Sequence, residues 1–109
     1  MVELIWTEPA LSDLDSIADY LALDSPDAAR GLVQRVFRHV ELLRTHPENG
    51  SRPRELRGMP YRQIVEPPCR IFYRCEGNRV VVVHVIRGEM KVRKTKLRGR
   101  DRKRGTKEE

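Results

Sequence analysis

Apolar residues in the first half of the chain recur at the spacing of amphipathic helices. A strand-like run at residues 2–6 leads into Thr7, which is suited to be an N-cap, and the proline two residues later fits a first helical turn. Ser25 followed by Pro26 repeats this start signal, so a second helix follows a very short turn and ends before Pro47. The apolar positions are Ala10, Leu14, Ile17, Ala18 and Leu21, then Ala29, Leu32, Val33, Val36, Phe37, Val40 and Leu43. The two helices are predicted to form a hairpin.

Beyond Pro47 the pattern changes to the alternation typical of strands. The predicted strands are residues 54–56, 61–65, 69–76 and 80–87, and Gly77 with Asn78 makes the last two a hairpin. Residues 80–87 are apolar on both sides, which favours a central strand covered on both faces. The order predicts an α+β fold with a short N-terminal strand, a helical hairpin, and a three- to four-stranded antiparallel sheet packed on that hairpin.

The formal net charge of +6 is concentrated at the C-terminus. Residues 91–109 carry ten basic and three acidic side chains, whereas residues 1–90 have a net charge of −1. With only Val92 and Leu97 as aliphatic residues, the terminal segment has too little apolar surface to form a core. We therefore expect one domain at residues 1–90 and a mobile basic tail at residues 91–109. The tail either stays solvated or binds an anionic partner such as an acidic protein face or nucleic acid.

The composition disfavours several classes of protein. No apolar run approaches the roughly 20 residues that cross a bilayer, and the N-terminus lacks the features of a secretory signal, so a cytoplasmic location is expected. Cys69 and Cys75 lie on one predicted strand, roughly 20 Å apart, which is too far to pair. Because the three histidines follow no ligand spacing, we expect neither a metal site nor a cofactor.

Arginines interrupt the predicted sheet. Alternation places Cys69, Ile71, Tyr73 and Cys75 on one face of their strand, toward the helices, and Arg70, Phe72 and Arg74 on the other. Together with Arg62 and Arg87, these arginines would make the second face a cationic binding surface. In the alternative, they cover aliphatic neighbours and pair with nearby glutamates. His84 is interpreted as a hydrogen-bonded sheet residue rather than as a base.

Four stretches, in this order along the chain, carry a resemblance to a known family. They are IWTEPALSDLDSIADYLA, LLRTHPENGSRPREL, YRQIVEPPCRIFYR and VVVVHVIRGEM. Together they resemble the RelE/ParE toxin superfamily of bacterial type II toxin–antitoxin systems, over roughly residues 2–92. The resemblance implies a toxin with a cognate antitoxin whose C-terminal segment wraps around it.

One branch of that superfamily, RelE, cleaves messenger RNA on the ribosome. The resemblance to this branch implies that Arg70, Arg87 and Arg54 would be the catalytic residues. The lysines and the C-terminal tyrosine or histidine of that branch are missing, since the first lysine is Lys91 and no tyrosine follows Tyr73. A guanidinium is a poor proton shuttle, so RNA cleavage lacks its acid–base groups.

The ParE branch resembles this chain better, because its helical hairpin is long and its sheet lacks the acid–base set. The resemblance implies inhibition of DNA gyrase without chemistry of the protein's own. The predicted target-binding residues are Arg70, Arg74, Arg87, Lys91, Arg93 and Lys94. The predicted antitoxin-binding residues are Leu32, Val36, Phe37, Arg62 and Arg70. A third hypothesis, a nucleic-acid-binding module that uses the tail alone, lacks aromatic residues on which bases could stack.

Overall fold

The computed structural model describes residues 1–88 together with Leu97, Gly99 and Asp101. The elements are β1 (Glu3–Trp6), α1 (Glu8–Ala22), α2 (Pro26–Glu41), β2 (Tyr61–Glu66), β3 (Cys69–Glu76) and β4 (Arg79–Arg87). A short 3-10 turn at Leu42–Arg44 follows α2, and a second one at Arg54–Leu56 precedes β2. The α+β fold is confirmed, with a helical hairpin on one face of a four-stranded sheet.

Both helices begin where their capping residues predicted. The Thr7 hydroxyl accepts a hydrogen bond from the Ala10 amide at 3.3 Å, and the Ser25 hydroxyl accepts one from the Ala28 amide at 3.1 Å. Each bond satisfies an amide that has no partner inside the first helical turn. Thr7 also donates to the carbonyl of Val82 at 2.9 Å, which ties the start of α1 to the sheet.

The sheet has the strand order β1-β4-β3-β2 and is mixed, whereas an antiparallel sheet was predicted. β1 pairs with β4 in parallel, and the other two pairings are antiparallel. The helical hairpin accounts for the parallel pairing, because it brings the chain back to the end of the sheet at which β1 starts. The amide of Val2 there donates to the carbonyl of Arg44, in the turn that follows α2, at 3.0 Å. β2 and β4 therefore run in the same direction as β1.

The prediction of a strand at residues 54–56 is wrong. These residues form a 3-10 turn in which the Leu56 amide donates to the Pro53 carbonyl at 3.1 Å, so the local backbone is satisfied without a neighbouring strand. The backbone pairing of the described residues of this region with the sheet is an isolated bridge between Ser51 and Gln63. β4, in contrast, is central and buried on both faces, as predicted.

Two apolar clusters lie on opposite faces of the sheet. The helix-side cluster includes Leu14, Leu32, Val36, Val40, Ile71, Tyr73, Val80, Val82 and Val85. The second cluster comprises Leu56, Met59, Tyr61, Phe72, Val81, Val83, Ile86 and Leu97. Strict alternation fails in β4, because a register shift beside Phe72 and Tyr73 sends Val83 and Val85 to opposite faces.

Leu97 and Asp101, which are among the described residues beyond position 90, contact the domain. Leu97 is buried in the second cluster, and Asp101 accepts a hydrogen bond from the Tyr61 hydroxyl at 2.8 Å. The division into a domain at residues 1–90 and a mobile tail at residues 91–109 stays a prediction. Val92, the other aliphatic residue of the tail, lies outside the described residues.

Candidate functional site

Arg70 lies on the second face of the sheet and is held on three sides. Its Nε donates to the side-chain oxygen of Gln63 at 2.8 Å, and its two terminal nitrogens contact the two carboxylate oxygens of Glu55 at 2.9 and 3.2 Å. The guanidinium carbon also lies 5.0 Å from the centre of the Phe72 ring. With 14 % of its side chain exposed, Arg70 ties the 3-10 turn to the sheet, and only a small part of it can reach a partner.

Arg74, two residues further along β3, is bound by carboxylates. It contacts both oxygens of Asp101, at 2.7 and 3.1 Å, and an oxygen of Glu76 at 2.7 Å. Burial lowers the pKa of this guanidinium, but the hydrogen bonds with Asp101 and Glu76 outweigh burial, so the pKa is raised above its ordinary value. Arg74 is permanently charged, and its charge is paired with the carboxylates of Asp101 and Glu76 rather than offered to a partner.

Arg87, at the end of β4, is exposed. Its guanidinium carbon lies 5.2 Å from the centre of the exposed Tyr20 ring in α1, in a cation–π contact. Among the predicted target-binding residues that the structure describes, Arg87 is the most accessible. Lys91, Arg93 and Lys94 lie outside the described residues.

Arg54 and Arg62 lie on other elements than β4, which carries Arg87. Arg54 is exposed in the 3-10 turn before β2, and Arg62 donates to the backbone carbonyls of Glu48 and Gly50 at 3.3 and 2.9 Å. Arg70, Arg87 and Arg54, the set that RNA cleavage would require, lie on different elements, and Arg70 is already engaged by Glu55.

The predicted antitoxin-binding residues of α2 differ in exposure, since two are buried against the sheet and one lies at the surface. Leu32 and Val36 are 1 % and 0 % exposed and face the sheet, so they offer no surface to a partner and are corrected to core residues. The helical pattern identified their apolar stripe, but it could not separate the part that packs inside from the part that stays outside. Phe37, which is 39 % exposed and packs on Trp6 with ring centres 4.9 Å apart, is the member at the surface.

His84 is a buried, hydrogen-bonded residue of the sheet, as interpreted from the sequence. Its Nδ1 lies 2.8 Å from a carboxylate oxygen of Asp13 in α1, and the same oxygen accepts the Val85 amide at 3.0 Å. Because β1 ends beside Val82, this amide has no strand partner there, and the Asp13 carboxylate takes that place. Sequence analysis missed this role of Asp13, which stands outside the apolar stripe of α1.

Glu55 and Asp101 are the arginine partners that sequence analysis missed. Each is an isolated acid in a basic run, Glu55 in SRPRELRG and Asp101 in KLRGRDRKR. That local charge pattern is the signal that could have identified them, because a lone carboxylate among arginines is a ready ion-pair partner. Their distance in sequence from Arg70 and Arg74 hid the pairing.

The described part of the chain contains no group of three or more side chains placed to hold a metal ion. None of its helices has the length and apolar character needed to span a bilayer. The geometry is that of a small protein whose sheet arginines are mostly paired internally, with cationic residues exposed at the ends of the sheet.

Comparisons with known proteins agree with this fold. Residues 4–92 match the family model described as ParE toxin of type II toxin-antitoxin system, parDE. A solved structure titled "Chromosomal ParDE TA system from P. aeruginosa" superposes with a TM-score of 0.69 at 30 % identity, covering 82 % of this chain and 98 % of that one.

Two curated proteins are similar in sequence. Toxin RelE2 of Caulobacter vibrioides is 34 % identical over 92 residues, covering 80 % of this chain and 92 % of that protein. Putative toxin Y4kP of Sinorhizobium fredii is 36 % identical over 69 residues, covering 63 % of this chain and 71 % of that protein. The chain therefore belongs to the ParE toxin family of type II toxin–antitoxin systems, and this membership implies a cognate antitoxin.

Proposed function

We propose that this toxin inhibits DNA gyrase and that its antitoxin neutralises it by covering the toxin surface. The match to the ParE family over residues 4–92 supports the gyrase target. Inhibition of gyrase is the activity that the resemblance to the ParE branch implies. A cytoplasmic location goes with this target.

The observation that carries the proposal is the state of Arg70. In the RNA-cleaving branch this strand arginine would act on the substrate, but here both oxygens of Glu55 and the Gln63 side chain occupy it. Residues 1–90 contain no lysine, and His84 is 5 % exposed and paired with Asp13. General acid–base cleavage of RNA needs accessible groups that can give and take protons, and these residues do not supply them.

The proposed gyrase contact is centred on Arg87. It is exposed at the end of β4, next to the start of the basic segment that contains Lys91, Arg93 and Lys94. An exposed cation that is followed in sequence by further basic residues favours fast association with the negatively charged surface of a protein bound to DNA. Arg70 and Arg74 support the sheet behind this contact.

The proposed antitoxin contact is centred on Phe37. Met1 and Leu42 are exposed beside it, and these three apolar residues line a shallow groove with Arg38, Arg44 and Glu41, whose carboxylate pairs with Arg44. An apolar groove bordered by the guanidinium of Arg38 suits a segment that is partly apolar and carries an acidic residue, the kind of disordered partner that folds on binding. Arg62 and Arg70 have little accessible surface to add.

RNA cleavage on the ribosome remains the second candidate. It is favoured by the similarity to the protein named Toxin RelE2 and by Arg54, which is exposed close to the Arg70–Glu55 pair. On this alternative, the ion pair with Glu55 would have to open before Arg70 could contact RNA.

Two assays run side by side separate these candidates. Purified protein is added to gyrase with relaxed plasmid, and to ribosomes programmed with a defined messenger RNA. We expect loss of supercoiling and intact RNA. Unchanged supercoiling at high molar excess, together with RNA cuts at codon positions, would replace the gyrase proposal with the RNA-cleaving one.

A further inference from the structure

A second cationic feature, separate from Arg87, lies in the segment before β2. Residues 52–59, RPRELRGM, curl around a cleft that is lined by Arg52, Pro53, Arg54, Leu56, Arg57, Gly58 and Met59. Gly58 has φ of +84°, a backbone conformation that favours glycine, and it turns the chain so that both ends of the segment line the same cleft. Three guanidinium groups therefore border one concave site, and none of the described residues lining it is acidic.

The backbone that carries these arginines is firmly placed. Leu56 and Met59 are 2 % and 8 % exposed and belong to the second apolar cluster, and Pro53 is also buried. The side chain of Arg52 closes the segment by donating to the Met59 carbonyl at 3.4 Å. A rigid backbone lowers the entropy cost of presenting charged side chains to a ligand.

The charge of the segment is unbalanced. It contains three arginines and one acid, Glu55, and both oxygens of Glu55 are held by Arg70 on the sheet. Arg54 makes no side-chain hydrogen bond or ion pair to any other described residue. Because the side-chain hydrogen bond of Arg52 goes to a neutral carbonyl and Arg54 has no such contact with a described residue, positive charge remains at the cleft that a bound anion would offset.

We propose that the cleft formed by Arg52, Arg54 and Arg57 is a binding site for a phosphate group. A guanidinium fork binds phosphate through paired hydrogen bonds, and a tetrahedral anion offers oxygens in several directions to groups that approach from different sides. The phosphate belongs either to a nucleic-acid backbone or to a free phosphate ion. The proposal does not depend on gyrase being the target, although Arg54 is also one of the residues that would contact RNA in the alternative function.

The first test reads binding at the cleft itself. Full-length protein labelled with ¹⁵N is titrated separately with inorganic phosphate and with a short DNA duplex, and the amide signals of Gly58 and Met59 are followed. Saturable shifts with both probes support a backbone phosphate as the ligand, and shifts with inorganic phosphate alone support a free phosphate ion. The absence of shifts at Gly58 and Met59 with both probes overturns the proposal.

The second test separates the site from net charge. The double variant Arg54→Gln/Arg57→Gln is compared with Arg30→Gln/Arg79→Gln, which removes the same charge from α2 and the start of β4 and leaves residues 91–109 intact. For a probe that shifts the cleft amides, we expect affinity to fall at least about tenfold in the first variant and less than about twofold in the control. For the duplex, the slope of log affinity against log salt becomes shallower by about 0.9, the value for one lost phosphate contact, in the first variant only. Equal losses in both variants would mean binding by overall charge and would overturn the proposal.

Discussion

Replacing Leu97 by alanine tests whether the C-terminal segment is part of the folded protein. Leu97 has 0 % of its surface exposed and lies in the cluster beneath the second face of the sheet. The truncation removes the branched end of the side chain, worth about 2.4 kcal/mol at roughly 0.8 kcal/mol per buried methylene group. Because the remaining cavity adds to this loss, we expect the free energy of unfolding to fall by about 3 kcal/mol.

Urea unfolding followed by the fluorescence of Trp6 measures this change. Trp6 is the single tryptophan and packs on Phe37 at the helix side of the sheet, far from the substitution, so it reports unfolding of the whole domain. At a denaturant slope of about 2 kcal/mol per molar urea, the midpoint should fall by about 1.5 M.

Leu23→Ala is the matched control, since Leu23 is 81 % exposed after α1. Its effect should stay within about 0.5 kcal/mol. If the Leu97 variant unfolds at the same urea concentration as the Leu23 variant, the segment is not docked on the sheet. Residues 91–109 would then be a tail without structural contribution.

Three further predictions test other parts of the fold. Gly50→Ala should destabilise the protein by about 1–3 kcal/mol, because a Cβ there would lie 2.6 Å from the Gln63 carbonyl and the Tyr73 hydroxyl. Gly31→Ala should instead stabilise α2 by about 0.5–1 kcal/mol, because its Cβ meets only the end of a flexible arginine. Thermal unfolding distinguishes the opposite signs. Asp101→Asn should lower the free energy of unfolding by about 1–3 kcal/mol, because it removes the carboxylate that binds Arg74. Glu76→Gln, at the more exposed partner of Arg74, should have a smaller effect, and an equal effect would show that Asp101 is not the main partner. Burial raises the pKa of the Cys69 thiol above its ordinary value of 9.0, so its contribution to stability is complete below that pH and is lost as the pH rises toward the folded pKa; Cys69→Val should flatten the fall in stability above about pH 9, and an unchanged profile would contradict this.

The helices and most strands could be predicted because their signals are local. Thr7 and Ser25 announce helix starts through side chains that bond to amides three residues later, and the strands of the β3–β4 hairpin follow from alternation around Gly77. The resemblance to the toxin superfamily likewise rests on ordered local segments. It led to the correct family before any long-range contact was known.

The features that could not be predicted depend on contacts between distant residues. The Asp13 carboxylate binds His84 and the Val85 amide, more than seventy positions away, and this contact depends on where β1 stops. Local periodicity also predicted a strand at residues 54–56, where Pro53 and the burial of Leu56 produce a turn instead. The burial of Leu97 escaped prediction because a composition rule averages over the whole tail.

The most direct test of the proposed function is a titration of gyrase supercoiling with three proteins. They are the wild-type chain, Arg87→Ala, and Arg79→Ala at the opposite end of β4 as the matched control. We expect wild type and Arg79→Ala to block supercoiling at the same concentration, and Arg87→Ala to require about tenfold more protein because it lacks an exposed charged contact. Supercoiling that continues unchanged at high molar excess of the wild-type protein would contradict the assignment of gyrase as the target.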